Sequence, residues 1–109
     1  MKEPQRLLPL VRISRLMLDS ALGRVEHAAQ ARDESLAQIA RLAAAQVPED
    51  MPPVAAALAE LRYQQWADKR RAEINLTLAR QTADWLDARE KARRALGRAE
   101  TLRKLAERR

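Results

Sequence analysis

The chain has 109 residues, the size of one domain, with 21 basic and 15 acidic side chains and a net charge of +6. It has no Cys, which excludes a disulfide framework, thiol catalysis and thiolate metal sites. No Phe and only three aromatics (Tyr63, Trp66, Trp85) stand against 22 Ala, which argues against a globular core and for helix.

Residues 1–8 read as a short lead-in, and Pro9 suits the first turn of a helix, where its missing N–H costs nothing. No apolar core of a signal peptide follows Met1-Lys2-Glu3-Pro4, and no run approaches the roughly 18 apolar residues of a membrane span. A soluble, cytoplasmic location is therefore expected. Helix 1 is predicted over about 9–46. Its apolar row alternates steps of four and three: Leu8, Val11, Arg15, Leu18, Leu22, Val25, Ala29, Arg32, Leu36, Ile39, Ala43. Nine of these eleven are apolar, and a mean spacing of about 3.5 residues is the seam of a left-handed coiled coil. Gly23 inside this helix should cost about 1 kcal/mol relative to Ala while leaving room for a neighbour.

A proline-rich loop is predicted over 47–53. Pro48 cannot continue helix 1, Pro53 sets φ for a new start, and Glu49 and Asp50 lie where a helix N-terminus favours negative charge. Helix 2 is predicted over about 54–108, with the row Ile74, Leu78, Gln81, Trp85, Ala88, Ala92, Ala95, Ala99, Leu102, Ala106. One break with a seam on each side gives an all-α antiparallel two-helix coiled-coil hairpin, a single domain over 1–109. Helix 2 is the longer, so its basic end is expected to project beyond helix 1.

Folding at the loop pairs residues whose numbers sum to roughly 100. Arg32 then faces Asp68 as an interhelical ion pair, and Arg15 faces Trp85 as a cation–π contact. Both would set register. The alternative is that both arginines run outward along the rod and carry their charge to water.

The residues predict a non-enzyme. The single His, His27, lacks convergent partners for a metal site or general base. Gly23 and Gly97 stand alone in helices, so no phosphate-cradling loop exists. Asp33-Glu34 and Asp84/Asp87 read as helix partners of Lys and Arg. No catalytic residue, cofactor or metal is expected.

Two features ask for a partner. Residues 1–88 carry twelve basic and twelve acidic side chains, whereas 89–109 carry nine and three, so the whole excess sits in the last fifth of the chain. Such asymmetry suggests an acidic partner there. Tyr63 and Trp66, beside Lys69-Arg70-Arg71, form either an exposed hot spot or extra core near the loop with Leu58 and Leu61.

The lead-in Arg6-Leu7-Leu8-Pro9-Leu10-Val11-Arg12 enters a helix with Leu18, Ala21, Leu22 and Val25, and the chain closes on the basic run Ala95–Arg109 with Glu-x-Leu-x-Lys-Leu-x-Glu-Arg character. This pattern resembles the FliJ/YscO family, the coiled-coil stalk proteins of flagellar and related type III secretion systems, over nearly the whole chain. The resemblance implies a hairpin like the central stalk of rotary ATP synthases, whose terminal end enters the hexameric export ATPase. It also implies contacts with the cytoplasmic domain of the export gate and with export chaperones, peripheral to the membrane-bound apparatus. ATPase contacts would fall on Arg89, Arg93, Arg94, Arg98, Arg103 and Lys104, and the gate contact near Tyr63 and Trp66. The chain is shorter than many members, and its second helix is richer in Ala. The alternatives are a self-associating structural coiled coil, in which Ala95, Ala99 and Leu102 pair with a second copy, and a basic helical nucleic-acid binder. The second lacks stacking aromatics in 89–109.

Overall fold

The computed structural model describes residues 2–45 and 50–108, with side chains from Gln5 onward. It is all helical: α1 spans Lys2–Ala44 and α2 spans Pro53–Glu107. The two pack side by side as an antiparallel hairpin of 85 × 21 × 14 Å. A radius of gyration of 24.5 Å is nearly twice the ~13 Å of a compact chain this size. The long dimension matches α2 alone, whose 55 residues span ~82 Å. The first turns of α1 and the last turns of α2 share one end of the rod, and the start of α2 lies at the other.

α1 begins earlier than the sequence predicts, at Lys2 rather than residue 9, with Pro9 inside it. The proline removes the N–H that would reach the carbonyl of residue 5, and its ring crowds that carbonyl, close to the start of the helix. Half-buried Leu7 lies one heptad step before Val11 and holds the first turns against α2. α2 starts with Pro53 after an extended Pro52, whose carbonyl accepts the Ala56 N–H at 2.8 Å. Asp50 is an exposed turn residue. Pro48 and Glu49 of the predicted loop lie outside the described residues.

The predicted row of α2 is the row the structure covers: all ten residues from Ile74 to Ala106 are buried or half-buried. That of α1 is half right. The covered row is Leu7, Val11, Ser14, Leu18, Ala21, Val25, Ala28, Arg32, Ser35, Ile39, Leu42. Val11, Leu18, Val25, Arg32 and Ile39 belong to both rows. Every alternate position moves back by one, so that Ser14, Ala21, Ala28 and Ser35 replace Arg15, Leu22, Ala29 and Leu36. The reason lies in α2, whose alanines bring the backbones together. Serine and alanine fit such an approach at Ser14, Ala21 and Ala28, opposite the alanines, while Leu7 and Leu42 take the inner face toward the two ends of the row. Leu22 and Leu36 stay 50% and 40% exposed.

Register also differs. Tyr63 reaches the Leu42 carbonyl, Ser35 meets Gln81, and Arg32 meets Thr82 and Trp85. Away from the loop, facing numbers sum to about 110–117 rather than 100. α2 is the longer helix, as expected, but its surplus falls on the loop side. There Val54, Leu58 and Leu61 are exposed. At the other end α1 covers the basic stretch, and Ala92, Ala95 and Ala99 are at most 8% exposed. Ala95, Ala99 and Leu102 therefore find their partner in α1.

Candidate partner-binding site

Mid-rod, the seam is polar. The Arg32 Nε donates to Thr82 Oγ1 at 3.3 Å, and Thr82 in turn donates to the Leu78 carbonyl. Ser35 donates to Gln81 Oε1 at 2.5 Å. Two cations lie against the Trp85 ring, with Arg32 Cζ at 5.3 Å and Arg89 Cζ at 4.7 Å from its centroid. No buried side-chain nitrogen or oxygen is left without a partner among the described residues. Such a layer is satisfied in one register only, since a slip leaves desolvated polar atoms unpaired.

The two sequence-derived pairs are corrected here. Asp68 binds Arg71 one turn along its own helix at 2.9 Å, and does not meet Arg32. Trp85 does take a cation from α1, but from Arg32, and Arg15 is exposed. Both corrections follow from the register, which carries Arg32 about four turns past Asp68.

Near the loop, half-buried Tyr63 donates its hydroxyl to the Leu42 carbonyl at 2.9 Å. That carbonyl is among the last four of α1, which have no partner within the helix. Tyr63 is thus a structural cap for α1. Trp66 stacks obliquely on it, with centroids 5.8 Å apart, and is 55% exposed. Of the aromatic pair, only Trp66 has a largely exposed ring.

The basic end separates into engaged and open cations. Arg89 lies on Trp85. Arg103 is held by Glu100 at 3.1 Å and Glu107 at 2.9 Å. The hydrogen bond and charge of Glu100, then those of Glu107, hold its proton more tightly than in a free guanidinium. Arg93 and Arg94 share one carboxylate, Glu90, at 3.6 and 3.5 Å, and both remain largely exposed. Lys91 pairs with Asp87 at 3.0 Å. Arg98 and Lys104 meet no carboxylate among the described residues and are exposed. Surface pairs of this kind contribute little and are screened by salt. The end is therefore a cationic surface centred on Arg93, Arg94, Arg98 and Lys104.

Sequence reasoning missed what lies beside these arginines. Leu10, Ile13 and Met17 of α1 face them across a groove floored by Ala95 and Leu102 and enclosing 630 Å³. The signal was present: α1 has more large apolar residues than a two-stranded seam can cover. His27 is exposed, and no cluster among the described residues could hold a metal ion. No described helix is long and apolar enough to cross a membrane. No family of known proteins matches the chain, nor does any curated protein or solved structure.

Proposed function

We propose that the chain is a non-enzymatic stalk or adaptor of a bacterial flagellar or related type III protein export apparatus, working through its terminal end on the export ATPase ring. The observation that carries this reading is the rod itself: 85 × 21 × 14 Å, with both termini and the whole charge excess at one end. A slender profile suits the interior of a ring, and an alanine seam supplies it. Arg93, Arg94, Arg98 and Lys104 would meet carboxylates at the ring mouth. Arg89 and Arg103, occupied within the chain, would contribute position more than charge. Trp66 would be the gate contact, with Tyr63 holding it from below. Export chaperones are the remaining class of partner. The working location is the cytoplasmic side of that apparatus.

Charge reversal tests this reading better than truncation, because deleting 89–109 would strip α1 of its partner. Arg93→Glu with Arg98→Glu should abolish salt-sensitive stimulation of the organism's type III export ATPase while leaving helicity intact. Unchanged binding and stimulation would overturn the electrostatic account.

A second reading, self-association, is favoured by one specific observation. Leu8, Leu22 and Leu36, spaced at sevenfold multiples on the flank of α1, are 53%, 50% and 40% exposed. Concentration-dependent mass in sedimentation equilibrium, lost in Leu22→Gln, would favour it.

A further inference from the structure

The groove at the terminal end is the start of a longer channel. Its first section, lined by Leu10, Ile13 and Met17, shares Ile13, Met17, Arg94 and Arg98 with a second section. The second shares Ala21, Arg24 and Lys91 with a third that ends at Ala28. From Leu10 to Ala28 the channel runs ~27 Å, the length of an 18-residue helix. The floor is apolar and narrow. One wall carries Leu10, Ile13 and Met17, which are 48%, 52% and 50% exposed. The other carries Lys91, Arg94 and Arg98, with Arg24 crossing from α1. No carboxylate lines the first two sections. Asp84 and Asp87 line the third, and Asp87 is taken by Lys91.

In a self-sufficient two-stranded rod, positions flanking the seam are charged on both helices. Here the α1 flank is apolar and the α2 flank is cationic. We propose that this channel is the docking site for a third helix, an acidic amphipathic segment of a protein partner, completing a three-helix bundle over the terminal half of the rod. Its apolar stripe would cover Leu10, Ile13 and Met17, and carboxylates along one edge would meet Lys91, Arg94 and Arg98. Charge decides against a second copy as occupant. A two-fold dimer through this face brings two cationic walls into one interface, with no carboxylate in the first two sections of either copy to offset them. The inference does not rest on the export role, because it is read by direct binding and needs no ATPase.

The probe is a fluorescein-labelled synthetic helix of about 18 residues, with leucine at heptad positions a and d and glutamate at e and g. A counterpart carries lysine for glutamate. Anisotropy titration of the full chain should show the acidic peptide bound at least about tenfold more tightly, with the advantage shrinking as salt rises. Ile13→Asp with Met17→Asp should remove binding of the acidic peptide. Arg94→Glu with Arg98→Glu, at exposed positions that leave the fold unchanged, should invert the preference toward the basic peptide. Absence of binding, equal binding of both peptides, or an unchanged preference after charge reversal would overturn the proposal. So would a dimer in sedimentation that Met17→Asp dissolves, which would assign the channel to a second copy.

Discussion

The middle of the rod and its terminal end bury the same kind of seam by opposite means. At mid-rod the two helices are locked by few, specific contacts: Arg32 on Trp85 and Thr82, and Ser35 on Gln81. At the terminal end Ala92, Ala95 and Ala99 lie within 8% of full burial with no side-chain hydrogen bond across the seam among the described residues. The middle defines which residues face each other. The end holds the helices close at the cost of leaving Leu10, Ile13 and Met17 outside. Specificity therefore resides in one region and an unfilled binding face in the other. Each alanine at the end buries little apolar surface, so close approach there leaves the neighbouring large side chains for something else to cover.

Substitutions break or sharpen this contrast, and the largest effect belongs to the one large apolar side chain that is nearly fully buried among the described residues. Ile74 is 4% exposed, so Ile74→Ala should destabilise by about 2–4 kcal/mol in urea titration followed by circular dichroism. At the terminal end the damaging change is enlargement. Ala95→Leu should cost about 1–3 kcal/mol by forcing the backbones apart, whereas a loosely packed end would tolerate it. The mid-rod lock is smaller and is isolated by a double-mutant cycle of Arg32→Met and Trp85→Leu. A coupling of about 0.5–2 kcal/mol is expected, and a value near zero would show that Arg32 contributes nothing through the ring. Gly23 has nothing within 4 Å of where a Cβ would stand. Gly23→Ala should therefore raise stability by up to about 1 kcal/mol, the opposite sign to the others. Asp68→Ala should change the melting midpoint least. It loses only an exposed pair with Arg71, within about 0.5 kcal/mol.

Much of the architecture was legible in the residues. Pro48, Pro52 and Pro53 interrupt two long stretches with a 4–3 apolar spacing, and that alone dictates two helices and a reversal between them. Ile74, Leu78, Gln81, Trp85 and the alanines beyond them were readable as the inner row of α2 because no rival row there is as apolar. The absence of a catalytic constellation was also an expectation from the residues, since His27 has no convergent neighbours. The candidate site was legible only as composition. Nine cations in the last 21 residues mark a basic end, yet which of them stay open depends on Glu90, Glu100, Glu107 and Trp85 as neighbours.

The sequence by itself determined the two helices, the hairpin, the inner row of α2 and the basic end, because these depend on local propensity and periodicity along one chain. The tertiary structure alone decided the inner row of α1, the register and the open channel. On α1, Leu22 and Leu36 compete with Ala21 and Ser35 for the inner face, and hydrophobicity favours the leucines. The outcome turns on the partner helix, whose alanines draw the backbones close at Ala92, Ala95 and Ala99, so that small side chains such as Ser14 and Ala21 alternate there with Val11, Leu18 and Val25. The register moves Arg32 from Asp68 to Trp85 and places α1 over the basic end. It also turns Leu10, Ile13 and Met17 toward Arg94 and Arg98, where the next helix has its place.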